Sequence, residues 1–254
     1  MPQSRPTAVW EAIWRNFTEN LLFNEKRGLE ASGAAVLQMD GRLRIVKQAV
    51  PAHEFVQTAA YQSLRDELGP QTALLLGHTR HPTQGSPQLP GNNHPIQVGA
   101  VFGVHNGRIR NDNQLFAQAN YNRLAQVDSE IIFQLLQPHP PLPADPCYLH
   151  TIQPLLQQLD GDFTFLAGDS RAPGRLLLVK HRQPMSAYYQ ANWQALLFSS
   201  RYIFLRKQFG RDVQSTVLVP DQLVLYDAAR LHERQHLPVA TLPLYNAVEE
   251  GCGG

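Results

Sequence analysis

Between Phe163 and Val219 the chain carries five short apolar runs, FTFLAGD, RLLLVKH, SAYYQ, ALLFSS and STVLV. The spacers between the first four are only four or five residues long. Strands joined this closely form hairpin-like clusters, and a parallel crossover needs a dozen residues or more. Helix-patterned segments lie between the clusters rather than after every strand. That order predicts an α+β fold with antiparallel sheets and argues against a doubly wound parallel sheet.

The remaining pattern fills in around this. Val9, Ile13, Phe17 and Leu21 recur at helical spacing, which predicts a helix over residues 8–26 with Pro6-Thr7 at its start. Asp40-Gly41 between two apolar-rich runs predicts a hairpin over 33–50. A helix is expected over 53–68, a buried strand over 72–76 and a Pro/Gly/Asn-rich loop over 81–95. A strand over 98–104 should turn at Asn106-Gly107. Helices are expected over 113–118, 129–136, 151–159 and 200–208, and a short strand over 224–226. PHPPLPADP, residues 138–146, reads either as a linker or as a stiff loop within one domain. The expected division is an N-terminal helical segment (1–25), one domain (26–245) and a loose tail (246–254).

Composition bounds the partners. With 22 basic against 21 acidic residues and a net charge of +1, nothing points to nucleic acid or a membrane surface. No apolar run approaches the ~20 residues that span a bilayer, and the N-terminus does not read as a signal peptide. Cys147 and Cys252 are far apart and make no disulfide framework, so a cytoplasmic setting is expected.

Three motifs carry chemistry. GHTRHPTQG (77–85) places Arg80 just after a buried strand, where a guanidinium can grip a carboxylate or be an ordinary turn residue. His78, His81 and His94 lack the spacing of a metal-ligand set, and no metal or other cofactor is expected. VHNGRI (104–109) reads as a hairpin turn, or as an Asn106 amide and a Gly107 N–H aimed together at an oxyanion. VDSE (127–130) reads as a helix cap, or as Asp128 placed to receive an ammonium group.

Taken in order, these motifs resemble the class II glutamine amidotransferases, N-terminal-nucleophile hydrolases such as the glutaminase domain of glucosamine-6-phosphate synthase. The resemblance is carried by KRGLEASG (26–33), GHTRHPTQG (77–85), NNHP (92–95), VHNGRIRN (104–111), DSE (128–130), LDGDFTFLAGD (159–169) and LLFSSRYIFL (196–205). It implies a four-layer αββα sandwich of two antiparallel sheets. It also implies that glutamine or a similar amino acid is the ligand. Arg80 would hold its α-carboxylate with support from Thr83, and Asp128 its α-amino group. Asn106 and Gly107 would form the oxyanion hole. Arg27 would sit beside the nucleophile and His94 would shape the pocket wall. A solitary domain of this kind would pass ammonia to a separate synthase subunit.

One departure is large. The family's nucleophile is a cysteine at the mature N-terminus, whose own α-amine serves as base. Counting back from Arg27, that place falls at Pro2, and neither Cys147 nor Cys252 can carry the chain's α-amine. Three readings follow: a pseudoenzyme that keeps the ligand pocket, an upstream segment that supplies cysteine and strand, or trimming that exposes Ser4 or Thr7. Glu30 and His81 also stand where the family usually has aspartate and tryptophan. The GCGG end reads as a small-residue tail, with a ubiquitin-like carrier terminus as a minor alternative.

Overall fold

Every ladder between the strands is antiparallel in the computed structural model, which describes residues 5–216 and 218–245; short connections join the partners in β1-β2, β4-β5, β6-β7 and β8-β9. In chain order, helix α1 (Thr7–Asn24) leads to β1 (Ala31–Gln38) and β2 (Leu43–Gln48). Helices α2 (Ala52–Phe55) and α3 (Ala59–Arg65) then precede β3 (Thr72–Arg80). β4 (Ile96–Val98) and β5 (Val101–Ile109) are followed by α4 (Asp112–Ala119), α5 (Glu130–Leu136) and α6 (Tyr148–Leu156). β6 (Gly161–Asp169), β7 (Arg175–His181), β8 (Ser186–Gln190) and β9 (Ala195–Ser199) come next. The chain closes with α7 (Tyr202–Phe209), β10 (Gln222–Asp227), α8 (Leu231–Arg234) and β11 (Ala240–Pro243).

The strands form a six-stranded sheet, β11-β10-β7-β6-β5-β4, a three-stranded sheet, β2-β1-β3, and a separate β8-β9 pair. Period-two alternation sorts their side chains into three apolar clusters. Phe163, Phe165, Leu177 and Val179 leave the six-stranded sheet on one face and pack under α4, α5 and α6. Phe102, Leu166, Leu176 and Leu178 leave it on the other face and meet Ala35, Leu37 and Leu76 of the smaller sheet, with Leu196 and Phe198 beside them. Ala34 and Val36 pack outward against Trp14, Leu21, Phe55 and Tyr61 of the N-terminal helices. The result is helices, sheet, sheet and helices in four layers.

Helix α1 belongs to this packing. Trp14 stacks on the fully buried Tyr61 with ring centroids 4.7 Å apart. At Gly77 a Cβ would lie 2.8 Å from Leu21 and 2.9 Å from Phe17, so the glycine lets α1 rest closely on β3.

Several expectations are corrected. The strand predicted to end at Leu76 continues to Arg80, so His78 and Arg80 are strand residues and not loop residues. Asn106-Gly107 is no turn: both lie inside the nine-residue β5, opposite Thr164 and Phe163. The pairing with β6 outweighs the local turn preference, and Gly107 meets it at φ +123°. The helix expected over 53–68 breaks at Thr58, whose hydroxyl caps α3 by accepting from the Tyr61 N–H at 3.2 Å. Residues 138–146 are a loop within one domain, because Leu136 before it and Tyr148 after it share one core. In STVLV, Thr216 makes a single bridge to Ala187, while the Leu218 carbonyl takes the Lys180 ammonium at 2.7 Å. The short β11 was not foreseen. The tail, with Cys252, lies outside the described residues.

Candidate ligand pocket

Three elements bring the charged groups together. β3 carries Arg80 to its last position, and the residue is only 4% exposed. Its Nη1–H donates to Asn93 Oδ1 at 2.9 Å, while Nη2 donates to the carbonyls of Gln84 and Gly85. The loop after β3 thus folds back and holds the guanidinium, using three of its five N–H donors. Burial lowers the affinity of Arg80 for its proton, and the carboxylates of Asp128 and Glu30 oppose that effect. The loop is itself pinned: Asn93 also donates to the Pro87 carbonyl, and Asn92 bridges Ser86 and Gln126.

Asp128 arrives from the other direction, on the turn before α5. It is 3% exposed, and its Oδ2 accepts from the Ile109 N–H of β5 at 2.7 Å. Ser129 occupies the N-cap position of α5, but its side chain makes no cap bond. Burial raises the Asp128 carboxyl above its usual range, against the hydrogen bond from Ile109. Glu130, wholly buried, accepts from the Leu124 and Ala125 N–H groups at 2.8 and 2.6 Å and so shapes the loop that delivers Asp128.

Asn106 and Gly107 come from the centre of β5. At φ +123° a Cβ on Gly107 would stand 1.7 Å from the Asp162 carbonyl, so only glycine fits there.

All of these groups line one cavity of about 610 Å³, together with Arg27, Thr83 and His94. The seven residues singled out from the sequence therefore share a single space. Thr83 is exposed and makes no hydrogen bond to Arg80; Asn93 and the Gln84 and Gly85 carbonyls do the supporting. The two departures at Glu30 and His81 face one another, with Oε1 to Nδ1 at 3.1 Å.

The clustering of three buried histidines, with His105 among them, is the feature sequence reasoning missed. His78 and His94 lie with ring centroids 4.3 Å apart and planes tilted by 36°, and the His105 ring is 6.4 Å from that of His94. Burial holds His78 down at about 4 and His105 at about 3, and His94 falls well below its usual value. His78 Nε2–H donates to the His105 carbonyl at 3.1 Å, which leaves its Nδ1 without a partner, as are both ring nitrogens of His94 and Nε2 of His105. No group of three His, Cys, Asp or Glu among the described residues is arranged to hold a metal ion. The cluster is a neutral polar wall. Lys47 was also missed: its Nζ donates to the Asn93 and Pro95 carbonyls, and burial lowers it to about 8.

Residues 78–207, just over half of the chain, match the family described as the glutamine amidotransferase domain. The chain belongs to that family. Its relatives include glutamine–fructose-6-phosphate aminotransferase (isomerizing) of Corynebacterium diphtheriae, 31% identical over 66% of this chain and 26% of the relative. The same enzyme of Yersinia pseudotuberculosis is 28% identical over 74% of this chain and 31% of its own length. The 7-cyano-7-deazaguanine synthase of Saccharolobus solfataricus is 24% identical over 87% of this chain and 44% of its own. Among solved structures, the glutamine phosphoribosylpyrophosphate amidotransferase of B. subtilis, complexed with ADP and GMP, superposes with a TM-score of 0.62 at 18% identity. That match covers 84% of this chain and 44% of the other. The amidotransferase domain therefore spans between a quarter and under half of the proteins it resembles. Its layered antiparallel fold is that of the N-terminal-nucleophile hydrolases. Among the described residues, no helix of the domain is long and apolar enough to cross a membrane.

Proposed function

We propose that the cavity binds glutamine, or an amino acid of the same headgroup, with its side-chain amide at Asn106 and Gly107. The observation that carries this is the convergence of Arg80 and Asp128, a buried cation and a buried anion, on the space that also holds those two donors. A free amino acid offers the complementary pair, and a guanidinium fork suits a carboxylate. An Asn amide beside a glycine N–H suits the oxygen of a carboxamide and the charge that develops on it. Arg27 and His94 complete the wall, and Thr83 stands at its exposed rim.

The chemistry that such a pocket serves is release of ammonia from glutamine, which needs a nucleophile. Among the described residues no cysteine lines the cavity. The hydroxyls of Ser199 and Ser200 are bonded to Asn20 and Asn24, and that of Thr79 to the Asn24 carbonyl. Ser129 Oγ pairs with His105 Nδ1 at 2.8 Å, but an imidazole held at about 3 is too weak a base to activate it. Thr7 opens α1 and is not part of the lining, which argues against trimming as the source. The 254-residue chain is thus read as a glutamine-binding domain that does not hydrolyse its ligand. An active amidotransferase subunit feeding a separate synthase is the alternative once a nucleophile is supplied.

Calorimetry with glutamine tests this. Binding is expected, with a loss of about 100-fold (~2.7 kcal/mol) in Arg80→Ala. A glutaminase assay on the same protein should release no ammonia. Absence of glutamine binding to a folded chain would sink the pocket and leave an interaction scaffold.

A further inference from the structure

The smaller sheet places three residues side by side. Gly33 of β1 lies directly opposite Lys47 of β2 and directly opposite His78 of β3. Residues opposite one another in an antiparallel ladder project to one face. Ala35, Leu37 and Leu76, two or four positions along the same strands, pack toward the large sheet, so this row faces the interior as well.

The middle of the row has no side chain, and a backbone segment uses the space. A Cβ at Gly33 would stand 2.0 Å from the His94 carbonyl oxygen and 3.0 Å from Lys47 Cβ. The bend over residues 93–95 therefore rests on Gly33. On one side of it Lys47 Nζ donates to the Asn93 carbonyl at 2.8 Å and to the Pro95 carbonyl at 3.0 Å. On the other side the His78 ring meets the His94 ring, with centroids 4.3 Å apart. Ammonium, glycine and imidazole together make a seat for three consecutive residues.

The seated bend carries a support of the guanidinium. Asn93 Oδ1 accepts from Arg80 Nη1 at 2.9 Å, and Asn93 Nδ2 donates to the Pro87 carbonyl at 2.6 Å. Arg80 stands two residues beyond His78, on the same face of β3. The contacts thus close a ring that runs from Lys47 through Asn93 to Arg80 and back along β3 to His78. Displacing the bend would carry Asn93 Oδ1 away from Nη1. Lys47 itself is outside the cavity lining, whereas Arg80, His78 and His94 are part of it.

We propose that Lys47 is a positioning residue for the carboxylate grip of Arg80, acting through the bend that it holds on Gly33. The role in ligand affinity rests on the glutamine reading above; the seat itself does not.

Calorimetry on Lys47→Met, which keeps an unbranched side chain and removes the ammonium, tests this. Glutamine affinity should fall about 10-fold, the weight of hydrogen bonds from a charged group. Lys180→Met is the control. Lys180 Nζ donates to the Leu218 carbonyl at 2.7 Å, a like contact outside the cavity. Its loss should leave affinity within about twofold. In a double-mutant cycle, Lys47→Met on an Asn93→Ala background should weaken binding by less than about twofold further, since both changes act on one contact of Arg80. Unchanged affinity in Lys47→Met, an equal loss in Lys180→Met, or losses that multiply in the cycle overturns the proposal. Lys47→Gln, which keeps an N–H donor, takes the place of Lys47→Met if the latter does not fold, and the same outcomes decide.

A parent chain that binds no glutamine sinks the pocket reading instead. The seat is then decided by NMR. The Arg80 Nε–H and His94 ring signals should move in Lys47→Met and stay in Lys180→Met, and signals that stay in both overturn it.

Discussion

In the large sheet each of β10, β7, β6 and β5 has a hydrogen-bonded neighbour on both sides, whereas across the core β3 and β9 each face the cavity with an open edge. Both layers are made of the same short apolar strands. The complete layer holds Asn106, Gly107 and, through the Ile109 N–H, Asp128. The divided layer holds Arg80 at one tip. The difference teaches that one cavity can have unequal walls. The groups proposed to bind glutamine on the complete layer are held by pairing already in place, while the divided layer borders the cavity with open strand edges.

The comparison breaks most readily at α1, the cover of the divided layer. Trp14→Ala removes a buried ring stacked on Tyr61 and should cost about 3–5 kcal/mol in urea unfolding. A cost under about 1 kcal/mol would mean that α1 does not clamp β3. On the complete layer, Gly107→Ala forces a side chain into a left-handed backbone against the Asp162 carbonyl and should cost about 2–4 kcal/mol. Equal stability of variant and parent would show that β5 can be reshaped there.

Acid sharpens the contrast within the pocket. His78 and His105 have folded values of about 4 and 3, below the ordinary 6.5, so the unfolded chain takes up their protons first. Their contribution to stability is complete above about pH 6.5 and is lost progressively as pH falls toward those folded values. Thermal melts from pH 7 to 5 should show this fall, and His94→Leu, which removes one of the three buried imidazoles, should lessen it. The smallest effect belongs to Asp128→Asn. Burial raises the Asp128 carboxyl, so ionisation destabilises the folded chain at neutral pH and acid relieves that penalty. The variant should gain up to about 1 kcal/mol at pH 7 while losing glutamine affinity, a combination that a purely structural aspartate would not produce.

Much of this molecule could be read before folding. The spacers at 170–174 and 191–194 join antiparallel neighbours, and Asp40-Gly41 marks its hairpin, because these signals act over a few residues of chain; the equally short spacer at 182–185 instead carries the chain from the large sheet to the separate β8-β9 pair. Arg80, Asp128, Asn106 and Gly107, which line one cavity, were singled out because their motifs follow one another in a known order. Local signals misled at Asn106-Gly107, where nine residues of pairing with β6 override a two-residue turn preference, and at Arg80, where β3 outruns its apolar run. The three histidines gave no pattern, since His78, His94 and His105 come from β3, a loop and β5 and meet only when those elements pack.

The sequence by itself determined the class of fold and supplied the residue types that the proposed glutamine pocket would use, because hydrophobic period and motif order are properties of the chain before it packs. Only the tertiary structure decided that Arg80 and Asp128 share one cavity, and that β3 and β9 leave parallel edges open along it. Those are relations between segments more than a hundred residues apart in places, set by how layers pack and which ladders close.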